Sequence, residues 1–139
     1  MSMCQLRIKV SSELSQGIRE GKAEGHAGKL LGMLRLNNAR AACVFDEFCG
    51  YCLEAEKHGI DQYPLYEWTK TVIEDSKKKR KHLLSFSIYI DGRAVYSTAT
   101  AEPVKIELQR LASELLFEVA VIDTDPEKNP QPPQSGKMR

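Results

Sequence analysis

The 139-residue chain lacks any apolar run long enough to cross a bilayer, which takes about 18 or more residues. Its first ten residues lack the basic start and long apolar stretch of a secretory signal. A dominant charge is missing too, because 20 Lys and Arg offset 19 Asp and Glu. We therefore expect a cytoplasmic protein of one domain, without overall attraction to membranes or nucleic acid.

Complete catalytic motifs are also missing. The sequence has no Ser/His/Asp arrangement, no phosphate-binding glycine loop and no carboxylate pair of defined spacing. The three histidines, at positions 26, 58 and 82, stand in unrelated contexts. We expect no cofactor, and a binding protein rather than an enzyme.

Cysteine is scarce, and its spacing does not fit a metal site. In a reducing compartment the four cysteines are expected to be free thiols. Cys43, Cys49, Cys52 and His58 carry zinc-ligand atoms, but no second cysteine pair completes the usual paired spacing. We predict no bound metal.

Glycine is the unusual feature of the first third of the chain. Residues 4–10 alternate as a short strand, and Ser11 or Ser12 can cap a helix predicted over residues 13–36. Five glycines recur at helical spacing in that segment, so on one helix they would share a face and allow a second helix to approach closely. This predicts a homodimer interface made of Gly17, Gly21, Gly25, Gly28 and Gly32.

The remaining pattern predicts two helices, a hairpin, a helix and a strand. The helices cover residues 38–58, ended by Gly59, and residues 61–82. Asp91-Gly92 indicates a hairpin turn between strands at 86–90 and 95–99, Pro103 opens a helix, and 117–121 alternate as a last strand. The order predicts an α+β domain over residues 1–123, ferredoxin-like βαββαβ with a three-helix first crossover. Residues 124–139 hold four of the six prolines and predict a disordered tail.

An alternative interpretation treats residues 41–45 as a buried strand. The stretch from Cys43 through Cys49-Gly50-Tyr51-Cys52, with the segment from Phe86 to Leu111, then resembles the thioredoxin-like family. The resemblance implies Cys49 as the nucleophilic thiolate and Cys52 as the resolving thiol. The chain departs from that family because no proline precedes the strand at Phe86. We favour the ferredoxin-like order, in which Cys49 and Cys52 are helical core residues.

One segment concentrates positive charge. It is the candidate nucleic-acid site, since lysines placed on phosphates strengthen binding in a salt-dependent way, and it comprises Lys77, Lys78, Lys79, Arg80, Lys81 and His82. The alternative is a solvated helix end favoured by the helix dipole, with Glu74 and Asp75 just upstream. Tyr89 and Tyr96 could add base stacking if they lie on an exposed sheet face.

These observations favour a small non-enzymatic regulatory protein, such as an inhibitor or adaptor, that binds a protein partner through its helical insertion. Nucleic-acid binding by the basic segment is the first alternative. A dithiol redox protein that uses Cys49 and Cys52 is the second.

Overall fold

The computed structural model describes residues 3–124 as an α+β fold with a five-stranded antiparallel sheet and six α-helices. The strands are β1 (Met3–Lys9), β2 (Ala39–Cys43), β3 (Ser85–Ile90), β4 (Tyr96–Ser97) and β5 (Glu118–Asp123). The helices are α1 (Ser12–Glu20), α2 (Gly25–Leu36), α3 (Val44–His58), α4 (Tyr66–Glu74), α5 (Ser76–Leu83) and α6 (Thr98–Leu115), with a short 3₁₀ helix at Ile60–Gln62. The predicted tail lies outside the described residues, apart from Thr124.

The sheet is built around β1. Strand β3 pairs with β1 through Leu6↔Ile88, and β5 pairs with its other side through Leu6↔Val121. Strand β2 extends the sheet beyond β3, and β4 pairs with the start of β1. The order across the sheet is therefore β2-β3-β1-β5, with every pairing antiparallel.

The two faces of the sheet differ in chemistry because side chains alternate along each strand. The inner face carries Leu6, Ile8, Phe86 and Ile88, which are at most 2% exposed and pack with buried side chains of α1, α2 and α6. The outer face carries the intervening residues, which are mostly polar. Burial of the apolar inner face is the main source of stability for this layer arrangement.

The predicted single helix over residues 13–36 is wrong. Ser11 caps α1 as expected, but α1 ends at Gly21 and α2 begins at Gly25, and both glycines have positive φ, 68° and 70°. The five glycines consequently do not share one helix face. A Cβ at Gly17 would lie 2.8 Å from the Cβ of Ala27, so this glycine serves the close packing of α1 against α2 within the chain.

The predicted helix over residues 38–58 is also wrong in its first part. Residues 39–43 form β2, paired with β3 from Ala39↔Ile90 to Cys43↔Phe86, and α3 starts at Val44. Its end at Gly59 is as predicted. The three-helix segment α3–α5 therefore stands between β2 and β3, whereas the first crossover holds only α1 and α2.

The predicted hairpin forms only as a turn. Asp91 and Gly92 have positive φ, and Ile90 and Arg93 exchange backbone hydrogen bonds, as in a two-residue hairpin turn. The strand that follows, β4, has two residues and pairs with β1 rather than with β3. It ends where the Ser97 hydroxyl accepts from the N–H of Thr100 and starts α6. Pro103 consequently lies inside α6 rather than at its start.

Candidate functional site

The basic segment forms a helix of its own. The chain leaves helical geometry at Asp75, whose carboxylate accepts from the N–H groups of Lys77 and Lys78 and caps α5. The cations from Lys77 to Lys81 are all exposed. None of them forms an ion pair with any residue of the part of the chain that the structure describes. Five adjacent positive charges are thus left without a carboxylate partner there.

Helix α5 is fixed at the end of the sheet where β3 begins. The N–H of Val10 donates to the carbonyl of Leu84 at 2.9 Å, and the Ser15 hydroxyl donates to the carbonyl of Leu83 at 2.6 Å. The Cys43 thiol lies 3.6 Å from the carbonyl oxygen of His82. These contacts tie the last turn of α5 to β1, α1 and β2.

A groove of about 710 Å³ runs between α1 and α5. Its volume falls in the range of ordinary ligand sites, roughly 300–1,000 Å³. Three cations, four neutral hydrogen-bonding side chains, one carboxylate and two leucines line it: Arg19, Lys79, Arg80, Ser12, Ser15, Gln16, Ser76, Glu20, Leu83 and Leu84. The groove therefore offers more donors and positive charge than an apolar ligand would need.

Hydrogen bonds to neighbouring side chains hold two of the charged groups of the groove in position. Arg19 binds Asp46 of α3 through two hydrogen bonds of 2.8 and 2.9 Å, which fixes the position of its guanidinium. The carboxylate of Glu20 accepts from the side-chain amide of Gln16 at 2.9 Å. Lys79 and Arg80 remain as the cations of this groove without an ion-pair partner among residues 3–124.

The outer sheet face adds a second polar cluster. Arg7 lies at its centre, opposite Ser87 of β3 and Ala120 of β5. Its guanidinium donates to the side-chain oxygen of Gln5 at 2.8 and 3.2 Å, and the amide of Gln5 donates to the carbonyl of Ala94. The Arg7 side chain is thereby held along β1, beside Gln5.

Arg40 and Tyr89 form a stacked pair toward the β2 edge of this face. The Arg40 guanidinium lies 4.0 Å above the Tyr89 ring, and the Tyr89 hydroxyl donates to Glu47 of α3. Burial raises the pKa of Glu47, while hydrogen bonds from Tyr89 and Ser87 and the charges of Arg7 and Arg40 oppose that rise. Arg40 itself is exposed.

His82 connects α5 to the outer face. Burial lowers the pKa of His82, and the charges of Lys81, Arg7 and Lys78 lower it further, so Arg7 lies within electrostatic reach of this imidazole. The ring packs edge-on against Phe48, with centroids 5.0 Å apart. The last turn of α5 is therefore packed against α3 near Arg7 of the sheet.

The two tyrosines that the sequence singled out have different environments. Tyr89 is on the outer face, whereas Tyr96 is 4% exposed and belongs to the core on the inner face. The Tyr96 hydroxyl accepts from the N–H of Leu6 at 2.8 Å and donates to the carbonyl of Ile88 at 2.6 Å. Tyr96 is therefore not available for base stacking.

The dithiol lies inside a helix rather than at its start. Cys49 and Cys52 are the sixth and ninth residues of α3, so the first-turn N–H groups of that helix do not reach either sulfur. Burial raises the pKa of both thiols. The geometry gives no support to a low-pKa thiolate of the thioredoxin-like kind.

Two further features can be stated for residues 3–124. No group of three or more His, Cys, Asp or Glu side chains there is arranged to hold a metal ion. No helix in this range has the length and apolar character needed to cross a membrane.

The sequence interpretation identified the basic segment but missed the arginines that adjoin it. Arg7 occupies a polar position of the alternating strand at 4–10. The period-two pattern therefore already placed its side chain on the other face of the sheet from those of Leu6 and Ile8. Arg40 could be found only after residues 39–43 were known to be a strand. Arg19 and Glu47 needed the packing of α1 and α3, which no local pattern indicates.

Searches of protein families, of curated proteins and of solved structures returned no significant match to this chain.

Proposed function

We propose that this chain is a non-enzymatic nucleic-acid-binding protein, with α5 and the α1–α5 groove as its phosphate-binding surface. The observation that carries this proposal is the set of exposed cations from Lys77 to Lys81, which have no carboxylate partner among residues 3–124. Interaction with the helix dipole favours cations only in the last turn of a helix. In α5 the cations begin at the second residue, so the dipole does not account for them.

Electrostatics explains how a chain of net charge +1 could bind a polyanion. Nearly all of the attraction to nucleic acid comes from cations close to the phosphates, because charges more than about 10 Å away are screened at 0.1 M salt. Many cations elsewhere are paired, for example Lys70 with Glu56 and Arg110 with Glu107. The unpaired positive charge is concentrated on α5.

The groove supports the same proposal. Lys79 and Arg80 of α5 line it, and the hydroxyls of Ser12 and Ser76 are neutral donors suited to phosphate oxygens. Arg19, which Asp46 already orients, adds a third cation at the opposite wall. One carboxylate, that of Glu20, opposes this charge.

The test is fluorescence anisotropy with labelled RNA and DNA at about 50 and about 200 mM salt. The variant neutralises α5 by K77Q, K78Q, K79Q and K81Q, and it should lose at least about tenfold in affinity. The matched control removes four other cations, two of them already paired on α6, by R35Q, K57Q, K105Q and R110Q. An equal loss in both variants would attribute binding to net charge alone and contradict the proposed surface.

We also propose that the domain is an elaborated ferredoxin-like fold. The strand order β2-β3-β1-β5 supports it, as do the helices between β1 and β2 and between β4 and β5. Sheet-based RNA-binding modules use the sheet face that helices leave open. Here that face is partly covered, because Gln5 and Ser87 are 1% exposed and Glu47 of α3 bonds to Tyr89, whereas Lys9 and Arg40 are exposed.

Protein binding through the helical insertion is a second candidate. Leu53, Ile60 and Trp68 are 66%, 49% and 52% exposed on that insertion. Exposed apolar side chains of this size favour a protein contact when they form one patch. If a second copy of the chain binds through these side chains, rather than through the glycines predicted from the sequence, L53E should halve the mass measured by light scattering. A monomeric wild type would contradict self-association by this route.

A further inference from the structure

We infer that the exposed face of the Arg40 guanidinium, stacked on Tyr89, is a platform for an unpaired base, so that the ligand is single-stranded. This inference rests on the proposed function and deepens it. The phosphate surface on α5 does not distinguish single strands from duplexes, whereas a stacking platform does, because the bases of a duplex are already stacked.

Two contacts hold the platform in place. Arg40 lies directly opposite Tyr89 in the β2–β3 ladder, which brings the guanidinium to 4.0 Å above the ring. The ring cannot swing away because its hydroxyl is bonded to Glu47 on α3. A planar cation that is already oriented loses little freedom when a base stacks on it.

The surroundings favour a base over an apolar ligand. One face of the guanidinium is covered by Tyr89, and the residue as a whole is exposed, so the other face is open. Arg guanidinium planes are among the surfaces on which proteins stack unpaired bases. Arg7, on the same sheet face, supplies a further positive charge for the backbone of such a strand.

The platform also connects to the phosphate surface. Arg7 pairs with Ser87, which lies nearer to the α5 end of β3 than Tyr89, the partner of Arg40. A strand whose backbone follows α5 would therefore meet Arg7 next and the Arg40–Tyr89 pair at the far end.

The deciding variant is R40K, which keeps the charge and removes the planar surface. Anisotropy is measured with the full chain against labelled oligo(A) RNA of about 12 nucleotides and against a duplex of the same length. We expect R40K to lower affinity for the single strand about fivefold or more and to leave duplex affinity unchanged. The control R35K makes the same exchange on α2 and should change neither.

The outcomes separate this inference from the proposed function. Wild-type protein that binds both probes, with R40K weakening neither or both equally, would overturn the platform and leave the phosphate surface standing. Wild-type protein that binds neither probe at about 50 mM salt would overturn both. A selective loss of single-strand affinity in R40K supports both.

Discussion

The Tyr96 side chain supplies a hydrogen-bonded bridge between two strands of the sheet. Leu6 and Ile88 face each other in the β1–β3 ladder, yet the N–H of one and the carbonyl of the other are joined through the Tyr96 hydroxyl. The hydroxyl thus bridges β1 and β3 at the point where the partner of β1 changes from β3 to β4. Its environment raises the pKa of Tyr96 to about 12, chiefly because the group is buried.

Replacement of this hydroxyl should be costly. Y96F would leave a buried backbone donor and a buried acceptor unpaired, and each such group costs about 1–3 kcal/mol. We expect Y96F to lower the free energy of unfolding by about 2 kcal/mol or more, measured by urea denaturation. Y66F, which removes an exposed hydroxyl bonded to Glu56, should change it by less than about 0.5 kcal/mol. Equal effects of the two variants would contradict the bridging role.

The cysteines give a prediction about pH. Burial raises the pKa of Cys43, Cys49 and Cys52, so the thiolate fraction at neutral pH is below that of a free cysteine. Labelling of the native protein with a thiol-specific disulfide reagent should be slow at pH 7 and should still accelerate above pH 9. Cys49 is the most exposed of the three, so C49S should remove the first phase. A fast phase that levels off below pH 8 would restore the redox alternative.

At the scale of single elements, the glycine-rich segment shows where local reasoning fails. Helical spacing suggested one long helix, but Gly21 and Gly25 both adopt positive φ and turn the chain between α1 and α2. Close packing requires a glycine at Gly17 and Gly28, where an added Cβ would be too near its neighbours. A Cβ at Gly28 would lie 2.4 Å from the backbone carbonyl of Ala23, whereas one at Gly32 meets nothing within 4 Å.

These two glycines of α2 should therefore respond in opposite ways to alanine. G28A must displace backbone and should destabilise the protein by about 1–3 kcal/mol. G32A fills open space in a helix interior and should stabilise it by about 0.5–1 kcal/mol, since alanine is the better helix former. Thermal unfolding of G28A and G32A measures whether each variant is less or more stable than the wild type. Stabilisation by both would mean that the α1–α2 corner is looser than described.

What the sequence could predict followed from local chemistry. The Ser11 cap, the strand of residues 4–10, the Asp91-Gly92 turn and the end of α3 at Gly59 each depend on a few adjacent residues. Strand β2 is predicted only as the alternative over residues 41–45, because its sequence Ala-Arg-Ala-Ala-Cys favours a helix and becomes a strand by pairing with β3. The arginine cluster of the outer face was hidden for the same reason.

At the scale of the whole molecule, charge is separated although the net charge is close to zero. The apolar inner face of the sheet, packed on α1, α2 and α6, forms the core. Paired charges occur on α6, and unpaired cations occupy α5 at one end of the sheet. In the proposed function a polyanion binds at α5, and in the further inference its path continues past Arg7 to Arg40.

The central claim is tested most directly by the salt dependence of binding to single-stranded RNA. The observed association constant of the wild-type chain is measured by anisotropy between about 50 and about 200 mM salt, and its logarithm is plotted against that of the salt concentration. Contacts from α5 and the groove to about four to six phosphates predict a slope of about −3 to −4. A slope near zero, or no binding at the lowest salt, would contradict the account.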